Sequence, residues 1–499
     1  MTRARTMALP MLDDSLAAAV RDANPWWRGE REYGLPPMRR WAFGPVLSHL
    51  REGMTPAVVL RGPRQIGKST LLGQVIDSLL ESGVASERIL RLQFDQLPSL
   101  KKIEQPILDL PRWYAERVLK KSFNQAARDG EQAYLFLDEV QNLADWAPQL
   151  KYLVDTQPVR VLVTGSSALR IEAGRDSLAG RIITLEMGPL LLREIAQMRG
   201  FGEIPPMLAH NGLGPLKRKN LWQDLRAHGE QHSAVRDLTY AAFSDRGAYP
   251  TAHAYPDRPW EQVADFLNET VVRRAIQHDL RAGSRGMRRD QNLLEAVFRL
   301  RARYVGQSPG QALYLDEIRR VMDANVGWQR ILAYLRFLDQ TLLLRLVEPL
   351  ELRLKKRRGM PKICLCDHAL RAAWLEEVVP LNPSDLSRVP HLSDIAGRIA
   401  ESTVGYFFRS IIGLDVAHFP ERGAEPEVDF VLTVGEQRIP IEVKYSRVIR
   451  YEDTRGLRSF IEKAHYNAPF GILVTQLDDV TIDDPRIVAL PLSSLLLLL

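Results

Sequence analysis

Residues 57–72 read AVVLRGPRQIGKSTLL, and this stretch decides the fold of the first part of the chain. The apolar run at 58–60 is typical of a buried strand, and residues 70–79 continue with the apolar spacing of a helix. Between them lies the pattern G-x-x-x-x-G-K-[ST], whose glycines permit a tight backbone turn that directs N–H groups inward. This succession predicts an anion-binding loop at the start of a helix.

The pattern is that of the P-loop, which binds nucleoside triphosphates. Lys68 is placed to reach the β- and γ-phosphates of ATP, and the Ser69 hydroxyl is placed to ligate Mg²⁺. The predicted nucleotide-binding residues of the loop are Gly62, Pro63, Arg64, Gln65, Ile66, Gly67, Lys68, Ser69 and Thr70.

A second informative stretch, YLFLDE at 134–139, follows about 70 residues later. Its four apolar residues predict a buried parallel strand, and Asp138 then emerges at the carboxyl end, where open α/β sheets bind their ligands. We expect Asp138 to hold the hydrated Mg²⁺ and to contribute to the nucleotide site. Glu139 is the predicted general base that polarises the attacking water.

A third strand at 161–164 runs into a small polar segment. If it lies between the two motif strands, a residue at its end can sense the γ-phosphate; Ser166 is favoured, with Thr164 as the alternative. Arg181 follows in the segment SLAGR and has two readings, an arginine finger on a phosphate or a structural salt bridge. Whether a finger would act within its own chain or on a neighbouring one stays open.

Length and composition limit the class of protein. The chain has 499 residues, of which 45% are hydrophobic and 26% charged, so we expect several soluble globular domains. Its two cysteines, Cys364 and Cys366, are too few for a disulfide framework or a four-cysteine zinc site. Residues 1–10 contain no long apolar run, and the leucines at 495–499 are too few to span a bilayer. We therefore expect a cytoplasmic protein without a membrane partner.

The net charge of +6 is unevenly distributed. Residues 270–360 hold 19 Lys and Arg against 9 Asp and Glu, whereas the rest of the chain has a net charge of −4. A localised basic segment indicates an anionic partner, and nucleic acid, here DNA, is the first candidate. The alternative is an Arg-rich helical surface that only contacts solvent.

Residues 301–385 contain the pattern of a winged helix. Its predicted parts are helices at 315–322 and 327–339, a strand at 342–349, a basic tip at 355–358 and a strand at 362–367. A basic tip suits phosphate contacts, which give affinity without base specificity. Because the second helix mixes apolar and basic residues, contact with a protein partner remains the alternative.

The last part of the chain has a different chemistry. Asp429 and Glu442 fall on two successive predicted strands, 427–432 and 439–444, and can meet across a hairpin. Two such carboxylates repel each other unless a cation lies between them, and oxygen ligands suit Mg²⁺ or Mn²⁺. Lys444, two residues after Glu442, can orient a metal-bound water. The alternative is an exposed hairpin with a Glu–Lys ion pair.

The motifs together resemble a bacterial and archaeal P-loop ATPase family of the AAA+ and STAND-type radiation. The resemblance rests on RGPRQIGKSTLL, YLFLDEVQ, VTGSSA, LAGR with ITLEMGPLLLREI, GAYP and VVRRAIQHDL. Members of this family have a C-terminal domain of unknown function, and GAYP at 247–250 is expected near the nucleotide only through the resemblance. The polar, basic stretch 200–237 is longer than the family pattern.

The D…ExK arrangement resembles the PD-(D/E)xK nuclease fold. The resemblance implies catalytic roles for Asp429, Glu442 and Lys444, and Glu401 on the preceding helix matches the helical acid of that fold. One departure is that Pro426 does not directly precede Asp429.

The overall fold expected is α/β. It comprises a P-loop NTPase parallel sheet with a helical lid, a winged helix and a C-terminal α/β restriction-endonuclease-like domain. The predicted boundaries are an N-terminal arm (1–38), the ATPase domain (39–215), the lid with an insertion (216–300), the winged helix (301–385) and the nuclease-like domain (386–499).

Two functional hypotheses follow. In the first, ATP hydrolysis is coupled to DNA binding and Mg²⁺-dependent DNA cleavage. In the second, the chain is an ATP-switched regulatory or DNA- or protein-binding module whose nuclease-like domain does not cleave. Both require ATP and Mg²⁺, with Mn²⁺ as a substitute at the C-terminal site, and both leave an oligomer open.

Overall fold

A computed structural model describes residues 14–95, 103–143, 145–165, 178–208, 212–276, 290–322, 326–351, 359–421 and 423–499. Its contacts divide the chain into a first unit that extends to Met187 and a second unit that begins at Gly188. The division falls inside the predicted ATPase domain 39–215, because the segment after Gly188 pairs with later parts of the chain. Leu190 N, for example, donates to Ala248 O at 2.8 Å. The five predicted domain boundaries stay a prediction.

The first unit is built on a five-stranded sheet in which every pairing is parallel. Its strands are β1 (Ala57–Arg61), β2 (Ile89–Gln93), β3 (Ala133–Asp138), β4 (Val159–Gly165) and β5 (Ile182–Glu186). They are ordered β2-β3-β4-β1-β5, so β4 lies between the two motif strands, the condition on which the sensing residue was predicted. Strands β1 to β4 are almost wholly buried, because a parallel sheet is covered on both faces.

Helices flank this sheet. They are α1 (Asp14–Asp22), α2 (Phe43–Glu52), α3 (Lys68–Glu81), α4 (Pro106–Tyr114), α5 (Phe123–Arg128) and α6 (Trp146–Thr156). Residues 110–128 could be expected from their apolar spacing to form one helix, but the structure divides them. A π-helical segment, Ala115–Leu119, follows α4, which contains Pro111, and Lys120 then adopts a left-handed conformation with φ 56°. Proline removes a helical hydrogen bond and the left-handed residue ends the helix, so α5 starts anew.

The second unit opens with helices. They are α7 (Leu192–Met198), α8 (Lys219–Gln231), α9 (Ser233–Arg246), α10 (Pro250–Ala254), α11 (Trp260–Leu267), α12 (Gln291–Arg303), α13 (Gln311–Met322), α14 (Trp328–Gln340), α15 (His368–Leu375) and α16 (Pro383–Leu386). A π-helical segment, Asn268–Arg273, extends α11.

The elements predicted for the winged helix occur in the predicted order. After α13 and α14 the chain forms an antiparallel pair, β6 (Leu344–Val347) with β7 (Lys362–Leu365). The basic tip at 355–358 lies outside the described residues. Identification of this part as a winged helix, and its contact with DNA, stay predictions.

The chain ends in a mixed five-stranded sheet. Its strands are β8 (Asp415–Phe419), β9 (Val428–Val434), β10 (Gln437–Lys444), β11 (Gly471–Thr475) and β12 (Ile487–Pro491), in the order β12-β11-β10-β9-β8. The first three are antiparallel neighbours, whereas β10, β11 and β12 run parallel. Three helices accompany them, α17 (Ser393–Ser410), α18 (Arg455–Ile461) and α19 (Leu492–Leu495).

Within the described part of the chain, no helix has the length and apolar character needed to cross a membrane.

Candidate functional site

The phosphate-binding loop connects β1 to α3, and its two glycines are required for different reasons. Gly67 precedes α3 with φ 89°, a left-handed conformation that favours glycine. Gly62 lies against the end of β5, because a Cβ built there would fall 2.2 Å from Met187 O and 2.4 Å from Ile66 Cδ1. The sequence pattern therefore places both glycines where the backbone needs them.

Lys68 is the first residue of α3 and its side chain is buried. Its ammonium donates to Gly62 O at 3.0 Å and to Pro63 O at 2.7 Å, so it lies over its own loop. Arg40, which sequence reasoning missed, supports the loop from outside by donating to Ile66 O at 2.5 Å. Arg40 lies 26 residues before Ile66 and belongs to no sequence motif, so its contact with the loop could not be predicted from the sequence.

Asp138 ends β3 and is buried. It accepts a hydrogen bond from the hydroxyl of Thr164 on β4. Burial raises the pKa of Asp138, and the hydrogen bonds from Thr164 and Ser69 oppose that rise. The two residues predicted to bind Mg²⁺, Ser69 and Asp138, therefore lie close to each other. A hydroxyl beside a carboxylate is a donor set that Mg²⁺ accepts.

Glu139, the predicted general base, has φ 57°, a left-handed conformation that costs a non-glycine residue free energy. Its backbone N–H donates to Thr164 Oγ1 at 3.2 Å, and its carboxylate accepts a hydrogen bond from Gln141. Thr164 thus joins Asp138 to Glu139 through one hydroxyl. Strained backbone that is held by specific contacts is found at functional sites.

The other two predicted residues of this site have different outcomes. Ser166 lies outside the described residues, whereas Thr164, its alternative, contacts both acidic residues. Arg181 forms a salt bridge with Asp155 and donates to Ala179 O at 3.1 Å. The salt bridge agrees with the structural reading of Arg181, and its role as a finger stays a prediction.

The C-terminal site gathers the four residues predicted for it. The β9–β10 hairpin is paired as far as Phe430, which lies opposite Ile441. Asp429 and Glu442 are the next residues beyond this pair, one on each strand. Lys444 contacts Glu442 Oε1 at 2.9 Å, and Val443 N donates to Asp429 Oδ2 at 2.9 Å.

Lys362, which sequence reasoning missed, lies among these carboxylates. Its ammonium contacts Glu401 on α17, Asp429 Oδ1 at 3.0 Å and Glu427 Oε1 at 3.2 Å, and the side chain is only 2% exposed. Burial by itself would lower the pKa of Lys362, but Asp429, Glu401 and Glu427 raise it well above its ordinary value. Lys362 is therefore a charged group within the cluster.

The carboxylates respond differently to this cation. Burial would raise the pKa of Asp429, but Lys362 and the Val443 N–H hold it below its ordinary value. Burial and repulsion from Asp429 raise the pKa of Glu401 well above its ordinary range, and the same two causes raise that of Glu442 to about 8. Glu442 Oε2 is buried, and none of the described residues forms a hydrogen bond with it.

The cluster as it stands does not fit a divalent cation. Both oxygens of Asp429 are engaged, one by Lys362 and one by Val443 N–H. Across the described ranges, no group of three or more His, Cys, Asp or Glu side chains is arranged to hold a metal ion. The assignment of Asp429 and Glu442 as ligands of Mg²⁺ or Mn²⁺ stays a prediction, made without the Lys362 ammonium that lies 3.0 Å from Asp429 Oδ1.

Two other predicted features lie in the second unit. The turn at 247–250 contacts Asp367, whose Oδ2 accepts from Ala248 N at 2.7 Å; its place near a nucleotide stays a prediction. In the basic segment 270–360, Arg301 and Arg345 are buried and add nothing to the surface charge.

Comparison with known families assigns the first site. Residues 54–196 match the family model described as AAA domain. The match supports a P-loop, AAA-like ATPase. Residues 240–379 and 396–495 match two models described as domains of unknown function, DUF8612 and DUF4143. The nuclease-like reading of the C-terminal part therefore gains no support from its family match.

The chain is also similar to curated proteins. An uncharacterized protein of Haemophilus influenzae is 24% identical over 255 residues, which cover 50% of this chain and 52% of that protein. One from Methanocaldococcus jannaschii is 31% identical over 28% of this chain and 27% of its own length. One from Mycobacterium tuberculosis is 29% identical over 28% and 26%. The chain thus spans about half the length of the first relative and about a quarter of the other two.

Among solved structures, one titled as the structure of C. elegans PCH-2 is similar over 44% of this chain and 62% of its own. The sequence identity is 14% and the TM-score 0.23, so nothing is inferred from the likeness.

Proposed function

We propose that this chain hydrolyses ATP at the P-loop and acts as a nucleotide-dependent switch whose C-terminal domain does not cleave nucleic acid. The observation that carries the first half is that Thr164 is hydrogen-bonded to both Asp138 and Glu139, with Ser69 of the loop close to Asp138. It supplies the groups that phosphoryl transfer to water requires, namely a phosphate cradle, ligands for a metal and a base.

The roles follow from position. The loop N–H groups and Lys68 bind the phosphates. When ATP binds, the Lys68 ammonium leaves the carbonyl oxygens of Gly62 and Pro63 and donates to phosphate oxygens instead. Ser69 and Asp138 would hold Mg²⁺, which neutralises charge on the β- and γ-phosphates when bound. Glu139 accepts a proton from the attacking water, and Thr164 orients Glu139 through its backbone N–H.

ATP turnover by the purified chain tests this half of the proposal. Lys68→Ala is expected to lose ATP binding, because the phosphates lose their cation. Glu139→Gln is expected to bind ATP but to turn it over at least about 100-fold more slowly, as is typical when a general base is removed. Glu81→Gln is the matched control, since Glu81 is an exposed residue at the end of α3. Undiminished turnover by Glu139→Gln would refute the assignment of the base.

The second half rests on Lys362, whose ammonium lies where metal-dependent cleavage needs a divalent cation. The charge of the chain suggests which partner the switch controls. The basic segment 270–360 supports a DNA partner, and a protein partner is the alternative. If DNA is bound through phosphates, its affinity falls steeply with salt and drops when Lys355, Lys356, Arg357 and Arg358 are neutralised. An affinity that is insensitive to both changes favours a protein partner.

A second candidate function is Mg²⁺-dependent DNA cleavage, which the convergence of Glu401, Asp429, Glu442 and Lys444 favours. The assay incubates plasmid and single-stranded DNA with the full chain, Mg²⁺ or Mn²⁺, and either ATP or no nucleotide. Cutting that Asp429→Ala or Lys444→Ala abolishes, with ATP binding intact, would establish cleavage. Equal cutting by the chain and these variants would reject it.

A further inference from the structure

Lys362 is held by three carboxylates that come from separate parts of the fold. Glu401 belongs to α17, Asp429 to β9, and Glu427 immediately precedes β9. An ammonium has three donors and no acceptor. Lys362 donates hydrogen bonds to Glu401 and Asp429 and forms an ion pair with Glu427 at 3.2 Å. The cluster is thus complete as an ammonium site.

The same oxygens cannot serve an ammonium and a divalent cation at once. Asp429 Oδ1 is 3.0 Å from Lys362 Nζ, so a metal bound to that oxygen would lie within a few ångströms of another positive charge. Lys362 and Asp429 are buried, and like charges repel each other more strongly in the protein interior than in water. A metal ion bound to that oxygen would therefore compete with the charge of Lys362.

The position of Lys362 is fixed by the packing of β7. Leu365 N donates to Ser402 Oγ on α17 at 2.9 Å, and β7 pairs with β6 along its whole length. A Cβ added to Gly405 of α17 would fall 2.3 Å from Cys364 Sγ, so the helix and the strand are in close contact. The ring of Phe430, 5.3 Å from the ammonium, adds a surface that favours a cation.

We propose that Lys362 takes the place of a divalent cation in this cluster, so that the folded chain does not bind Mg²⁺ or Mn²⁺ there, and that removing its charge creates a divalent-metal site. The carboxylates of Glu401, Asp429 and Glu427 would supply the ligands, and oxygen ligands of this kind suit both metals. The proposal does not depend on ATP hydrolysis at the P-loop.

Mn²⁺ binding to the nucleotide-free full chain, followed by electron paramagnetic resonance of the free ion, tests the proposal. The unchanged chain and Asp429→Asn should bind Mn²⁺ equally weakly. Lys362→Met, which keeps an unbranched side chain without charge, should bind one Mn²⁺ per chain at least ~100-fold more tightly, because the competing charge is gone. Adding Asp429→Asn to that variant should remove the site. Lys463→Met is the matched control, since Lys463 forms an ion pair with Glu425 in the same part of the chain.

Two results would overturn the proposal. One is a site in the unchanged chain that Asp429→Asn abolishes, because Lys362 would then not exclude the metal; this comparison needs no Lys362 variant to fold. The other is a folded Lys362→Met chain that binds no Mn²⁺ beyond the Lys463→Met control. Neither result bears on ATP turnover, which the Glu139→Gln comparison tests separately.

Discussion

Thr164→Val tests the hydroxyl that joins the two acidic residues of the ATP site. Valine has nearly the shape of threonine, so the fully buried position on β4 stays filled. The substitution removes the donor to Asp138 and the acceptor of the Glu139 N–H. Glu139 then loses a hydrogen bond that holds its left-handed conformation. Asp138 loses one of the hydrogen bonds that oppose the rise of its pKa on burial.

The magnitude follows from these two contacts. A hydrogen bond to a charged group contributes about 1.5–3 kcal/mol. If the loss falls on the transition state, where Glu139 must be in position, each ~1.4 kcal/mol lowers the rate about tenfold. We therefore expect kcat for ATP to fall by about 10- to 150-fold. Binding of ATP should change by less than about threefold, because the loop and Lys68 make their phosphate contacts without Thr164.

The assay is steady-state ATP turnover with ATP binding measured in parallel on the same preparations. Thr164→Ser is the matched control, because it keeps the hydroxyl and removes only a methyl group. It should retain most of the turnover. A Thr164→Val chain within twofold of the original, or a Thr164→Ser chain impaired as much as Thr164→Val, would refute the reasoning, since the effect would not then depend on the hydroxyl.

Two further predictions concern the C-terminal domain. In the folded chain Glu442 keeps its proton up to about pH 8, whereas in the unfolded chain it loses the proton near its ordinary pKa of 4.5. The free energy of unfolding should therefore fall as pH rises between these two values. Chemical denaturation of Glu442→Gln should show a flatter pH dependence there, and an unchanged slope would contradict it. Gly405→Ala should lower stability by about 1–3 kcal/mol through overpacking, because its Cβ meets Cys364 Sγ at 2.3 Å and Phe430 Cε1 at 2.6 Å. At Gly397 in the same helix, an added Cβ meets no atom of the described residues within 4 Å, so Gly397→Ala should instead raise stability by up to about 1 kcal/mol through its higher helix propensity. An equal loss there would contradict overpacking as the cause.

The ATP site could be predicted closely because its determinants are local. The run at 58–60, the glycine spacing and the strand ending in Asp138 each lie within a few residues, and the motif fixes their order. The choice between Ser166 and Thr164 could not be made from local sequence. Residues two apart at the end of a strand have nearly the same sequence signal, and only the pairing of β4 beside β3 puts the Thr164 hydroxyl on Asp138.

The acidic residues of the C-terminal site were also accessible to sequence reasoning, because the register of one hairpin brings Asp429 and Glu442 together. Lys362 was not, since it lies 39 residues from Glu401 and 67 from Asp429. From the sequence we expected a divalent cation between the carboxylates, with Lys444, two residues from Glu442, orienting a metal-bound water. The structure balances them with an ammonium from another sheet.

A physical signal for Lys362 was nevertheless present in the sequence. Lys362 begins the otherwise apolar strand KICL, and a lysine in a buried strand must either pair with a carboxylate or lose its charge. The same rule requires a cation for Asp429 and Glu401. A buried strand with an unexplained lysine satisfies the requirement of the acids on a buried strand and a neighbouring helix, and they satisfy its own. Opposite buried charges should therefore be paired across the whole chain before a metal is introduced to balance them.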